Sequence, residues 1–283
     1  MPDFPIVDTH LHLWDISRLH YAWLGSVPRL NHNHLIDDYR QACGLVPVAK
    51  MVFLQCDCDP AQFQEEADWV TEVARADPRI RGIVAWAPLE KGDAAEPALA
   101  RLAANSLVKG IRRIIQFEPD MRFCLRPDFV RGVQLLPRHG LSFDLCINHR
   151  QLAHTIRLVR QCPEVRFILD HIGKPDIKGG VLDPWRADLR ELAALPNVWC
   201  KLSGLVTEAD HEKWTASDLQ PYIDHVIACF GFERVMFGGD WPVSAQAADY
   251  PRWVATLDDA LRGCSAADLK KIYVRNAETF YRV

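Results

Sequence analysis

Two histidines one residue apart, His10 and His12, lie near the start of the chain in the run Ile6-Val7-Asp8-Thr9-His10-Leu11-His12-Leu13. If that run is a β-strand, alternation puts Asp8, His10 and His12 on one face and Val7, Thr9, Leu11 and Leu13 on the other. Two imidazoles so spaced project side by side, which suits one metal ion or one bound anion. Much later, Phe167-Ile168-Leu169-Asp170-His171 ends an apolar run on a histidine, and Met236-Phe237-Gly238-Gly239-Asp240 ends another on an aspartate. Either alone reads as a hydrogen-bonded loop residue. Together with the first pair they read as one site.

A scaffold must bring residues 10, 12, 171 and 240 together. Short apolar runs alternate with amphipathic ones along the sequence, the pattern of βα units around a parallel sheet. Eight runs predict strands: Ile6 to Leu13, Lys50 to Gln55, Ile80 to Ala87, Val108 to Gln116, Leu141 to Ile147, Val165 to His171, Asn197 to Ser203 and Arg234 to Gly239. Between them, helices are predicted over Gln62 to Ala76, Ala94 to Asn105, Pro127 to His139, Gln151 to Cys162, Trp185 to Leu195, Leu219 to Phe230 and Arg252 to Leu261. The expected fold is α/β, a single (β/α)8 TIM barrel forming one domain over residues 1–283, with the site at the carboxyl ends of the strands. The long connection from Trp14 to about Asp37 carries His20, Tyr21, Trp23, Arg29, His32 and His34, and its length points to a substrate lid.

The 283 residues are 49% hydrophobic and 25% charged, the balance of a globular chain with a large core. A net charge of −4 gives no bulk attraction to nucleic acid or to an acidic membrane, so the expected partner is a small molecule. No basic segment leads into an apolar stretch at the start, and no run is long enough for a membrane span, so the expected location is the cytoplasm. The nine cysteines, several inside apolar runs, read as reduced core residues, and the lone pair Cys56 and Cys58 is a weak metal or redox signal.

Alternation nominates further inward residues: Arg112 and Gln116 on the fourth strand, Trp199, Lys201 and Ser203 on the seventh, Gln55 and Asp57 on the second. On the fifth, Asp144, Cys146 and Asn148 share the polar face, which leaves His149 on the wrong parity. Lys201 and Arg112 suit either substrate contact or an internal ion pair. Trp14, Trp86 and Trp241 at strand ends have apolar faces on which a ligand ring can stack, although large aromatics also fill barrel tops.

Several segments resemble the amidohydrolase superfamily, and within it the sugar-lactonase branch of fuconolactonases and rhamnonolactonases. They are Val7-Asp8-Thr9-His10-Leu11-His12-Leu13-Trp14-Asp15, Lys109-Gly110-Ile111-Arg112 with Gln116, Phe143-Asp144-Leu145-Cys146, Leu169-Asp170-His171-Ile172-Gly173-Lys174-Pro175, Lys201-Leu202-Ser203-Gly204, Phe237-Gly238-Gly239-Asp240-Trp241-Pro242 and Asn276-Ala277-Glu278-Thr279-Phe280-Tyr281. The resemblance implies a hydrolase that opens a sugar lactone such as L-fuconolactone to the aldonic acid. His10, His12, His171 and Asp240 are then the catalytic set, with Asp240 activating water. A carboxylate can take the proton of a bound water and return it to the leaving oxygen. His171, Arg112 and the first-strand histidines are placed to meet charge on the carbonyl oxygen. Arg112, Gln116, Lys201, Trp241, Trp14 and Trp23 are the expected substrate contacts.

Many members of the superfamily hold one or two divalent ions. Here the fourth strand ends without a lysine or glutamate and the usual fifth-strand ligand is missing. The remaining set, His10, His12, Asp240 and His171, implies one loosely held Zn²⁺ or none. Two rival readings stand beside the lactonase: a metal-dependent decarboxylase acting on an acidic aromatic substrate, and a non-catalytic binding barrel.

Overall fold

The protein is described by a computed structural model over residues 2–283. All eight expected strands form: β1 (Ile6–Leu11), β2 (Val48–Leu54), β3 (Ile80–Ala85), β4 (Val108–Ile111), β5 (Ser142–Leu145), β6 (Phe167–Leu169), β7 (Val198–Leu202) and β8 (Val235–Phe237). They pair in parallel in the order of the chain. The seam between β8 and β1 is drawn together by Asp240 N–H to His10 O at 2.7 Å and His12 N–H to Trp241 O at 2.9 Å. The result is a (β/α)8 barrel. The strands stop earlier than the apolar runs do. Arg112 lies past the end of β4, and His171 and Asp240 lie past the ends of β6 and β8, where the chain turns over the barrel mouth.

The expected helices form as α2 (Phe63–Ala76), α3 (Glu96–Ala103), α4 (Pro127–Leu135), α5 (Leu152–Gln161), α6 (Trp185–Ala193), α8 (Ala216–Phe230) and α9 (Tyr250–Ala260), with four short ones besides: α1 (Ile36–Cys43), α7 (Leu205–Glu208), α10 (Ala266–Lys270) and α11 (Asn276–Tyr281). Their ends follow local chemistry. Thr215 and Asp218 form a capping box ahead of α8, Gly231 at φ 63 ends it, and the Asp249 side chain accepts from Arg252 N–H at 2.7 Å at the start of α9. The last segment packs on its own barrel. Ala277, Phe280 and Tyr281 close the amino end of the strands against Val7, Val52, Leu54, Val84, Ile168 and Met236.

Alternation fails in two places, each for a local reason. The β1 register shifts between Asp8 and Leu11, so Val7 faces the barrel interior and Asp8 does not share the face of His10 and His12. Asp8 instead accepts hydrogen bonds from Tyr39 of α1 at 2.8 Å, Tyr250 of α9 at 2.9 Å and Gly239 N–H at 2.8 Å. It ties strand ends to the helical layer. On β2 the inward residues are Val52 and Leu54, so Gln55 and Asp57 are out of phase with the interior. Asp57 nevertheless reaches the mouth because its backbone takes a left-handed φ of 57.

Candidate active site

A cavity of about 410 Å³ opens at the carboxyl ends of the strands. His12, Cys56, Arg112, His171 and Asp240 form its strand-end wall. Trp14, Trp23, Val27 and Leu30 come from the long connection after β1. The ends of that connection, expected to be a lid, are pinned together: Trp14 and His34 exchange backbone hydrogen bonds of 3.0 and 2.9 Å. Trp23 is held over the cavity by its indole N–H, which donates to Cys56 O at 2.8 Å.

Asp240 stands at the centre of three imidazoles. Its Oδ1 lies 3.5 Å from His12 Nε2, 3.7 Å from His10 Nε2 and 3.9 Å from His171 Nε2. Both His171 and Asp240 adopt left-handed φ, 52 and 55 respectively. That conformation costs a residue with a side chain roughly 1–3 kcal/mol and persists where the surroundings hold it. Burial lowers the pKa of all three histidines, most strongly at His10 and His171, which keeps them neutral. Burial pushes the Asp240 carboxyl up, but the charge that His171 or His12 carries whenever protonated, together with that of Lys174, outweighs it and holds the carboxyl below the usual range, ionised.

The partners fix the histidine protons. His12 Nδ1 lies 2.9 Å from Leu54 O. A carbonyl cannot donate, so the proton is on Nδ1, and Nε2 turns a bare lone pair toward the Asp240 carboxylate. His12 can accept there but not donate. His10 Nε2 lies 3.1 Å from Arg112 Nη1. A guanidinium has only donors, so this nitrogen is also bare, and the His10 proton faces Asp170 Oδ1, 3.5 Å from Nδ1. His171 Nδ1 meets Ser203 Oγ at 2.9 Å.

Two acceptors face each other at His12 Nε2 and Asp240 Oδ1, an arrangement that calls for a proton donor or a cation between them. Ligand atoms of His10, His12 and Asp240 lie within 4.8 Å of one another, as do those of His10, Asp170 and His171. Ligands bound tetrahedrally to zinc at about 2.0–2.1 Å sit roughly 3.3 Å apart, near the spacing around Asp240. The donor set therefore fits a divalent ion. Arg112 works against it, because it already occupies the lone pair of His10.

Beneath the cavity lies a buried charged floor. Lys201 Nζ reaches Asp144 Oδ2 at 2.7 Å and Asp170 Oδ1 at 3.0 Å. Arg112 Nη1 reaches Asp170 Oδ2 at 3.3 Å, and the Tyr281 hydroxyl donates to Asp144 at 2.6 Å. Lys201 is fully buried and off the cavity wall, so the geometry makes it an internal ion pair and not a substrate contact. Trp241 is likewise turned away and packs on His34 and Tyr39 with ring centroids 5.3 and 5.5 Å apart. Arg112, Gln116, Trp14 and Trp23 do border the cavity. Trp86 belongs to a neighbouring cleft, and His149 bonds to Lys174 O at 2.8 Å. All nine cysteines are free thiols. Burial raises the pKa of Cys56 and Cys58.

Three wall or support residues carried no assigned role in the sequence. Lys174, on the wall with a φ of 49, pairs loosely with Glu208 at 3.7 Å. Its signal was a cation three residues beyond His171. Gly204, at φ 65, lies so close under His171 that a Cβ would stand 2.4 Å from Nδ1. Gly204→Ala should displace that ring and lower kcat/KM by about tenfold or more, and the strained φ should lower Tm as well, results that steady-state kinetics and a thermal melt will check.

Glu66 of α2 is buried behind the lid, where it accepts from Cys56 N–H at 3.1 Å and from the Tyr21 hydroxyl at 3.2 Å. Burial pushes its carboxyl from 4.5 up to about 7 despite both donors. A folded pKa above the unfolded one stabilises fully below the unfolded value and loses that contribution as pH rises through the folded value. Glu66 should thus remove about 3 kcal/mol of stability between pH 4.5 and 7. Urea midpoints at pH 5 and 8 should differ less for Glu66→Gln than for the wild type.

The chain was compared with known proteins. The amidohydrolase family profile matches residues 7–283. An L-fucono-1,5-lactonase of Burkholderia multivorans is 35% identical over 265 residues, covering 89% of this chain and 86% of that protein. An L-rhamnono-gamma-lactonase of Scheffersomyces stipitis is 26% identical over 338 residues, covering 100% of both. A crystal structure of an amidohydrolase from Burkholderia multivorans with bound zinc superposes with a TM-score of 0.88 at 31% identity, covering 99% of this chain and 100% of that one. With a profile match along nearly its whole length and a relative above 30% identity over most of both chains, the chain belongs to the amidohydrolase family, in the branch that holds these lactonases.

Proposed function

We propose that the protein hydrolyses a sugar lactone, such as L-fuconolactone, to the aldonic acid. The observation that carries this reading is an ionised carboxylate, Asp240, ringed by three neutral imidazoles on the wall of a cavity of about 410 Å³. That volume suits a monosaccharide-sized ligand. Arg112, Gln116 and Lys174 supply polar contacts, and Trp14 and Trp23 supply aromatic surface. The lactonase names of two relatives support the substrate class. Among the described residues no helix is long and apolar enough to cross a membrane, and the unpaired cysteines suit a reducing compartment such as the cytoplasm.

Asp240 takes a proton from a water whose oxygen attacks the ring carbonyl, and the carbonyl electron pair moves onto oxygen. The developing oxyanion is met by cationic or N–H groups on the wall: Arg112, Lys174, and His171 Nε2–H when Ser203 donates to Nδ1. His12 takes no part in that contact, because its Nε2 carries no proton. Collapse re-forms the carbonyl, breaks the ring C–O bond, and passes the proton from Asp240 to the ring oxygen. The carboxylic acid formed loses its proton to solvent.

A divalent ion would be held by His10, His12 and Asp240, which requires His10 to give up Arg112. When bound, it would polarise the carbonyl or the water. Because a lactone is an activated ester and a cation already stands at His10, we expect the chelated enzyme to retain activity.

Mass analysis of the product formed in ¹⁸O-water by chelator-treated protein tests this reading. The expected product is the aldonic acid with one ¹⁸O in its carboxyl group. Carbon dioxide release from an acidic aromatic, dependent on a tightly retained metal, would replace it with the decarboxylase reading.

A further inference from the structure

Asp57, just past the end of β2, borders the active-site cavity. Its φ of 57 lies in the left-handed region, and the Gln55 side chain holds it there by accepting its backbone N–H at 2.6 Å. Strand alternation alone would point this side chain away from the barrel interior. The strained turn brings it to the mouth.

Among the described residues the Asp57 carboxylate has neither a hydrogen bond nor an ion pair. Two arginines stand near enough to act on its charge, yet both are committed elsewhere. Arg112 pairs with Asp170 at 3.3 Å, and Arg113 with Glu90 at 3.3 Å and Glu118 at 2.5 Å. Burial raises the carboxyl above its ordinary pKa, and the two arginines partly offset the rise. The carboxylate thus keeps acceptor positions open at the cavity mouth that the donors of a ligand can fill. Adjacent hydroxyls of a sugar ring are suitable donors, since each can donate an O–H to one carboxylate oxygen. Asp57 also borders the adjoining cleft, where Phe63 and Trp86 pack with ring centroids 5.4 Å apart. It therefore stands at the edge where a bound ring would meet apolar surface.

We infer that Asp57 is a specificity-determining residue whose carboxylate receives hydroxyl groups of the lactone ring, separating hydroxylated from plain lactones while Asp240 carries out proton transfer. This rests on the lactonase reading. It also accounts for the retained strain, which places an acceptor that an unstrained residue at this position would turn away.

The test compares kcat/KM for a hexono-1,5-lactone with that for δ-valerolactone, which has the same ring size and no hydroxyls. Two variants are used, Asp57→Asn and Asp57→Gly, both of which tolerate a left-handed backbone. In each, the preference for the hydroxylated lactone should fall by about tenfold or more, with a Tm no lower than that of the wild type. A preference unchanged in both variants, or both substrates slowed equally, overturns the assignment and leaves the lactonase reading standing. Wild-type protein that turns over neither lactone overturns both.

Discussion

Asp240→Asn should lower kcat on an aldonolactone by about 10³-fold, about 4 kcal/mol of barrier, with little change in KM. The carboxylate acts on the proton of attacking water and not on the ground-state substrate, so its loss belongs in the chemical step. Asparagine is also a mild replacement at this position. It tolerates the φ of 55 found there, and its amide N–H can satisfy the bare His12 Nε2 that lies 3.5 Å from Asp240 Oδ1. A normal Tm alongside a lost kcat would place the effect in catalysis. The same ratio in chelated and metal-supplemented protein would separate the base from any ligand role. Lys174, and His171 or His12 whenever protonated, hold the Asp240 carboxyl below the usual range, and a base works only when ionised. Activity should therefore fall with decreasing pH only below about pH 4 on account of this group.

Lys201→Met should cost about 3–5 kcal/mol of stability, the largest structural effect expected here. Among the described residues the lysine is the only partner shared by Asp144 and Asp170 in the barrel floor, and without it two buried carboxylates face each other with Tyr281 and Arg112 as the remaining donors. Even with Lys201 present, burial pushes Asp144 up to about 6. Urea denaturation should show the loss, and the further change Asp144→Leu should recover part of it by removing the stranded charge. A rise in KM at unchanged stability would return Lys201 to the substrate contacts.

The barrel was legible because each strand is a short apolar run and each α2-type helix an amphipathic one, and both patterns survive without knowledge of neighbours. Strand ends were less legible. The predicted strand Val108 to Gln116 runs past Ile111, where β4 stops, because Ile114 and Ile115 prolong the apolar pattern, Ile115 being buried in the core from a loop. The four residues at the heart of the site were legible from their types and their places at the ends of apolar runs. Orientation was not. A register shift sends Asp8 outward to Tyr39 and Tyr250, and a left-handed turn brings Asp57 inward. Alternation cannot express either, since both are made by backbone conformations that the side-chain pattern does not encode. Lys201 and Trp241 were nominated by parity or position alone, and whether such a residue meets solvent or another chain segment depends on α11, Asp144, His34 and Tyr39, far away in sequence.

The central claim is tested most directly by adding purified, chelator-treated protein to a series of aldonolactones and following acid release with a pH indicator. The expected result is saturable release well above spontaneous hydrolysis for at least one of them, L-fuconolactone first among those to try. No release above background for any lactone, with or without added Zn²⁺ or Mn²⁺, would contradict it.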